Sequence, residues 1–186
     1  MKKTYIAQRL AGLASPALPA AMSREIGRII VRWAYFEHLI QETAWILAGL
    51  SPAAGRIAMR EPRAADRLQM VREILDARNG AWDDELYKSI LQRTKLLAAK
   101  RDLLAHGIWG YLKQEHSWHV QLARGSWPKN VRDLVAGNKR VTPEAVHMDV
   151  PKLREAIVEI EAVISDLKKL RDSAIGPPAP WQETPR

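Results

Sequence analysis

One short string combines the residue types that can break a phosphate ester: Lys100-Arg101-Asp102-Leu103-Leu104-Ala105-His106-Gly107. The imidazole of His106 can remove or return a proton, because histidine titrates near neutral pH. The guanidinium of Arg101 can hold a phosphate and stabilise the charge that develops on it during the reaction. Asp102 can orient a partner group or the guanidinium of a neighbouring subunit. These three residues predict attack of a ribose 2′-hydroxyl on the adjacent phosphate without a metal ion.

The spacing of these residues leaves a plainer alternative open. Five positions on an ideal helix correspond to about 140° of rotation, so Arg101 and His106 do not share a face. They can still meet in one cleft if the helix ends at Gly107, or if two chains contribute to it. In the alternative, Arg101 is a surface arginine and His106 caps the helix end, where the helix dipole favours the protonated imidazole.

The elements that must position this string are predicted mainly from apolar residues recurring at three- and four-residue spacing. Predicted helices cover Ser23 to about Leu50, a short stretch after Ser51-Pro52, Pro62 to Arg78, Asp83 to Gly107, and Pro151 to Asp172. Ser23 is the predicted N-cap of the first helix, whose predicted apolar stripe is Ile26, Ile30, Trp33, Phe36, Ile40, Ala44 and Leu47. Apolar and polar residues alternate with a period of two around Trp118, which predicts a β-hairpin at about residues 108–127. The segment from Pro128 to Met148 is predicted to hold a short helix or a third strand.

The sequence therefore predicts an all-α fold, an antiparallel bundle of four to five helices with a small inserted β-hairpin. The helical domain is expected to span residues 23–174. Residues 1–22 are predicted to form a flexible N-terminal arm rather than an export signal, because Gln8 and Arg9 interrupt the apolar region. The proline-rich residues 175–186 cannot continue a helix and are predicted to form a C-terminal tail.

Composition excludes several classes of protein. Of the 186 residues 47% are apolar and 27% charged, which is typical of a globular protein and excludes wholesale disorder. No apolar stretch approaches the roughly 20 residues that cross a bilayer, so we expect a cytoplasmic protein without a membrane segment. The absence of cysteine excludes a disulfide scaffold, a thiolate zinc site and a cysteine nucleophile. The net charge of +8 favours a polyanionic partner.

The string resembles the signature of the HEPN superfamily, an all-α group whose motif is an arginine, a polar residue, three or more variable residues and a histidine. Arg101, Asp102 and His106 match it here. The layout of the helices is similar from about residue 23 to 174, although the hairpin beside His106 departs from the minimal bundle. The pattern Trp33…Phe36-Glu37 and the run Ala105-His106-Gly107-Ile108-Trp109 also resemble bacterial members.

This resemblance implies an HEPN-like bundle that forms a homodimer, in which the motifs converge into a composite, metal-independent site for cutting RNA. It implies no cofactor. It also implies a role as a toxin or a phage-defence effector, with an antitoxin or a nucleotidyltransferase as a candidate protein partner. Some members of this group only bind their partners, so a non-catalytic helical module that binds RNA or protein is the alternative function. A regulatory, antitoxin-like protein that docks on DNA is a further alternative, for which no helix-turn-helix pattern is present.

Four further residues are candidates for supporting roles. Glu37 lies near the buried stripe of the first helix and is predicted to position Arg101; the alternative is a pairing with another basic side chain or exposure at the edge of the stripe. Lys95 and Lys100 are predicted to attract phosphates, although such residues usually form a solvated face. Trp109 is predicted to stack on an unpaired base or, alternatively, to fill a core or dimer interface.

A metal site is not predicted. His116 and His119 are three positions apart, a spacing that on a strand directs side chains to opposite faces. No third ligand lies nearby in sequence, and His147 is remote.

Overall fold

A computed structural model describes residues 17–58, 63–78, 82–112, 115–122 and 146–175. Within these ranges the chain forms five helices and a three-stranded sheet: α1 (Ala20–Ala48), α2 (Pro52–Ala58), α3 (Ala64–Ala77), α4 (Asp84–His106), β1 (Gly107–Leu112), β2 (Ser117–Leu122), β3 (Val146–Met148) and α5 (Val150–Ile175). The prediction of a mainly helical fold with a β-hairpin is confirmed. Most of the predicted N-terminal arm, most of the C-terminal tail and residues 123–145 lie outside the described residues. None of the described helices is long and apolar enough to span a bilayer.

Backbone hydrogen bonds and one positive φ angle define the two ends of helix α1. The amide of Ser23 already donates to the carbonyl of Pro19 at 3.0 Å, so the helix begins at Ala20, upstream of the predicted cap. At the other end Gly49 takes a φ of +67°, a conformation that glycine adopts without strain. The amide of Leu50 then donates back to Trp45 at 2.9 Å, which closes the helix.

The buried stripe of α1 differs from the prediction in its first half. Trp33, Phe36 and Ile40 are buried as predicted. Ile30, which was assigned to the same stripe, is 36% exposed, whereas Ile29 is buried. The prediction was wrong there because Ile29 and Ile30 are adjacent, and a shift of one residue rotates the side chain by about 100°.

By their contacts the residues divide into two units. Of the described residues, the first unit contains 17–30 and those between 99 and 157, and the second contains those between 31 and 98 and 158–175. Helices α1, α4 and α5 each contribute one end to the first unit and the other to the second.

The second unit is held together by apolar packing and cross-helix ion pairs. The indole of Trp45 lies so close to Gly55 that any Cβ there would overlap the ring, which explains why α2 carries glycine at this position. Arg93 of α4 donates to Asp166 of α5 at 2.6 Å, and this hydrogen bond lowers the pKa of Asp166. Arg32 of α1 lies 2.7 Å from Glu161 of α5.

The first unit contains the sheet, in which the strands lie in the order β1-β2-β3 and are antiparallel. The two long strands match the predicted hairpin, with the turn at Glu115 and His116. Val120 of β2 is fully buried opposite Trp109, and Met148 of β3 is buried as well. Of the two predictions for the segment up to Met148, a third strand is therefore found at its end.

A buried carboxylate with no predicted role joins α1 to α5 in the first unit. The side chain of Glu25 is 5% exposed and accepts hydrogen bonds from Arg28 at 2.8 Å and Arg154 at 3.3 Å. Burial opposes its ionisation, but the hydrogen bond from Arg154 and the charge of Arg28 outweigh that effect. The pKa of Glu25 therefore lies below its ordinary value of 4.5.

The Glu25→Gln protein should lose less stability in acid than the unmodified protein. Because the folded-state pKa is lowered, ionised Glu25 stabilises the fold above its unfolded pKa, and this contribution is lost as the pH falls through the folded pKa. Thermal unfolding followed between about pH 6 and pH 3 should give a smaller fall in Tm for Glu25→Gln than for the unmodified protein. The exposed Glu155 provides the control, because the Tm of Glu155→Gln should depend on pH as that of the unmodified protein does. Equal slopes for Glu25→Gln and the unmodified protein would contradict the prediction.

Candidate active site

Helix α4 presents the end of the Arg101–His106 string on an exposed face. The helix opens with a cap, since the amide of Leu86 donates to the carboxylate of Asp83 at 2.8 Å. Its buried face carries Tyr87, Ile90, Thr94, Leu97 and Leu104. The opposite face leaves Asp102 and His106 exposed, and His106 is the last residue of the helix.

The arginine of the string is paired with its sequence neighbour. An Nη atom of Arg101 lies 2.8 Å from the carboxylate of Asp102, and the two side chains are 26% and 53% exposed. Asp102 and His106 are four positions apart, so their Cβ atoms lie about 6 Å apart on one helix face. The ion pair therefore joins Arg101 to Asp102, which shares a helix face with His106.

The helix passes into β1 through a glycine that has no room for a side chain. A Cβ atom at Gly107 would overlap the carbonyl oxygen of Leu103 and the Cγ2 atom of Val120. Because the last helical residue is followed directly by the first strand residue, there is no loop in which His106 could change its direction. The close packing of β2 against this junction fixes the position from which His106 projects.

Trp109 stabilises the same junction. Its indole N–H donates to the carbonyl of Leu104 at 3.3 Å, which satisfies one of the carbonyls that lack a partner in the last helical turn. The side chain is half-buried on β1, opposite Val120. This contact gives Trp109 a role in the helix end, and its stacking on a base stays a prediction.

Replacing Trp109 by phenylalanine should loosen the last turn of α4 while leaving an aromatic ring in place. The loss of one hydrogen bond to a backbone carbonyl predicts destabilisation by about 1 kcal/mol. Hydrogen exchange measured by NMR should show faster exchange at the amides of His106 and Gly107. Trp118→Phe, on the neighbouring strand, is the matched control and should leave these two amides unchanged. If both variants gave the same exchange rates at the junction, the indole N–H would not hold the helix end.

The remaining predicted residues are distributed over both units. Lys100 is half-buried and belongs to the first unit with Arg101, whereas Lys95 is exposed and belongs to the second. Glu37 is half-buried in α1 and also belongs to the second unit. Its role in positioning Arg101 stays a prediction.

The charges of the motif helix are largely compensated. Lys88 lies 2.7 Å from Asp84 and 2.8 Å from Glu85, and Arg93 bonds to Asp166. Over all described residues the basic and acidic side chains are nearly equal in number, so most of the net charge of +8 belongs to residues outside the described ranges. The motif helix is therefore not by itself a strongly basic surface.

The histidines of the first unit lie in the hairpin turn and on two paired strands. His116 lies in the turn with a φ of 47°, and its Nδ1 atom is 3.3 Å from the hydroxyl of Tyr111. His119 lies on β2 directly opposite His147 of β3. The sequence did not reveal this proximity because 27 residues separate the two histidines and only strand pairing joins them. Within the described ranges, no group of three or more imidazole and carboxylate side chains is placed to hold a metal ion.

Comparison with known proteins gives no match to a family model, a curated protein or a solved structure.

Proposed function

We propose that this chain is an HEPN-like, metal-independent endoribonuclease. The observation that carries the proposal is the exposed His106 at the end of α4, one helical turn after the Arg101–Asp102 ion pair and on the same face as Asp102. An imidazole and a guanidinium that act on the same phosphate are a minimal set of groups for cleaving RNA through its own 2′-hydroxyl.

In the proposed reaction His106 removes the proton from a ribose 2′-hydroxyl. The 2′-oxygen then attacks the adjacent phosphorus, and the bond from phosphorus to the 5′-oxygen breaks. The leaving oxygen takes up a proton, so the products carry a 2′,3′-cyclic phosphate and a 5′-hydroxyl. If two copies converge, as the HEPN resemblance implies, one imidazole can act as the base and the other as the acid.

Arg101 is proposed to bind the scissile phosphate. Its guanidinium is now bonded to Asp102, which is half-exposed. An ion pair near the surface contributes only about 0–1 kcal/mol, so a phosphate can replace the carboxylate at low energetic cost. Asp102 would then accept a hydrogen bond from another N–H group of the same guanidinium and keep its orientation during the reaction.

The wider setting of the proposal follows from the same resemblance. We infer a cytoplasmic homodimer that acts on RNA as a toxin or a phage-defence effector. An antitoxin or a nucleotidyltransferase would be its neutralising partner.

A non-catalytic module that binds RNA or protein is the second candidate. It is favoured by the compensation of charge on α4, since both Arg93 and Arg101 are already bonded to carboxylates. In that case Arg101 and His106 would stabilise the helix end without taking part in a reaction.

The test is incubation of the purified protein with RNA in EDTA, beside a parallel preparation of His106→Ala, followed by analysis of the product ends. Cleavage by the unmodified protein alone, with cyclic phosphate ends, is the expected result. Equal cleavage by both preparations would indicate contamination or another site. Binding of RNA without cleavage by either preparation would favour the second candidate.

A further inference from the structure

Two exposed arginines meet at one buried carboxylate in the first unit. The side chain of Glu25 is 5% exposed, whereas those of Arg28 and Arg154 are 57% and 66% exposed. Arg28 of α1 donates to Oε2 of Glu25 at 2.8 Å, and Arg154 of α5 donates to Oε1 at 3.3 Å. The negative charge therefore lies inside the protein, while both positive charges face solvent.

One arginine would be enough to pair this carboxylate. A single guanidinium can bond to both oxygens of a carboxylate through two parallel N–H groups. Here each oxygen of Glu25 accepts from a different arginine. The remaining N–H groups of Arg28 and Arg154 bond to none of the described residues. The second arginine therefore supplies donors that the buried carboxylate does not require.

A third arginine extends the positive surface along α1. Arg24 is exposed and lies four positions before Arg28, so the two side chains share a helix face. Like charges at this spacing destabilise a helix, so the stability of α1 does not explain the pair. Glu155 directly follows Arg154 but is rotated by about 100° around α5. Three exposed arginines thus accompany one buried acid, although basic and acidic side chains are nearly equal in number over the described residues.

We propose that Arg28 and Arg154 form a phosphate clamp, which binds a phosphate of the RNA backbone and is oriented by Glu25. The planar guanidinium matches the oxygens of a phosphate as well as those of a carboxylate. Because Glu25 already holds both guanidiniums from inside the protein, less side-chain freedom is lost when the phosphate binds. Contacts of this kind position a nucleic acid without reading its sequence.

The choice of RNA as the ligand rests on the proposed function. The Arg101–His106 string belongs to the same unit as the phosphate clamp. The clamp itself is argued only from the contacts between α1 and α5. Binding of RNA by the clamp and cleavage of RNA at His106 can therefore be tested separately.

The test is the affinity for a labelled single-stranded oligouridine, measured by fluorescence anisotropy in proteins that all carry His106→Ala, so that the RNA stays intact. Arg28→Gln and Arg154→Gln each remove one positive charge, while the glutamine amide can still donate to Glu25. Each change should reduce the slope of log affinity against log salt by about 0.7, the value for one phosphate of a single strand. Because this contribution disappears near about 1 M salt, affinity should fall about eightfold at about 50 mM salt and about threefold at about 200 mM.

Arg32→Gln is the matched control. Arg32 is another exposed arginine of α1 and lies 2.7 Å from Glu161 of α5, but it pairs with its acid one to one. Its replacement should leave the affinity for RNA and the salt slope unchanged.

Arg24→Glu tests the phosphate clamp if the glutamine variants do not fold. A glutamate four positions before Arg28 is favourable for the helix, and it competes with phosphate for the guanidinium. The affinity should again fall about eightfold or more at about 50 mM salt.

The phosphate clamp is overturned if every folded variant binds the RNA as tightly as Arg32→Gln does. It is overturned together with the proposed function if no protein binds RNA. Weaker binding by the clamp variants, with no cleavage by the protein that retains His106, would support the clamp and contradict the proposed function.

Discussion

Replacing His106 by glutamine is expected to lower the rate of RNA cleavage by about 10²- to 10⁴-fold, the contribution typical of general acid–base catalysis. Glutamine keeps the size and polarity of the side chain but cannot exchange a proton near neutral pH. Because His106 is exposed at the end of α4, the free energy of unfolding should change by no more than about 0.5 kcal/mol. The measurement is the single-turnover rate of cleavage in EDTA, together with the unfolding curve of each protein.

The matched control is His38→Gln, which changes an exposed histidine of α1 and should cleave at the original rate. Normal cleavage by His106→Gln would remove His106 from the reaction and leave the string with a structural role. A loss of cleavage in both variants would show that the assay responds to something other than the proposed site.

Replacing Gly107 by alanine is expected to destabilise the protein by about 3 kcal/mol, at the upper end of what overpacking usually costs. The added methyl group would overlap a backbone oxygen, that of Leu103, as well as the side chain of Val120. A backbone atom cannot move aside by a change of rotamer, so either the end of α4 or the start of β1 must shift. Urea unfolding followed by circular dichroism measures the effect.

Gly27→Ala is the control, and it should stabilise the protein rather than destabilise it. Nothing lies within 4 Å of a Cβ atom at Gly27, which is exposed within α1. Alanine there should stabilise the helix by about 0.5–1 kcal/mol. A Gly107→Ala protein as stable as the unmodified one would show that the junction can adapt, and that His106 is held less firmly than its surroundings indicate.

The helices and the hairpin could be predicted because their signals are local. The last helix is the clearest example, since Leu153, Ile157, Ile160 and Leu167 recur with helical spacing and are all buried. Strand β3 could not be predicted with equal certainty. Three residues carry too little pattern to distinguish a strand from a loop, and the partner that defines β3 is distant in sequence.

The site shows the same division between local and distant information. The string and its position at a helix end were readable because Arg101, Asp102 and His106 are close in sequence. Glu25 was missed although its signal was present, since it lies four positions before Ile29 and so continues the buried stripe of α1. Arg154 of α5 compensates the charge of the buried Glu25. It is 129 positions away, so this pairing cannot be inferred from a single sequence.

The division of α1, α4 and α5 between two units has a consequence for the gene. Each unit is assembled from separate stretches of the coding sequence, and the stretches alternate along it. No single excision can therefore remove one unit and leave the other whole. A deletion that begins or ends near residue 98 would interrupt α4. It would separate the Arg101–His106 string from the residues that precede it in the helix.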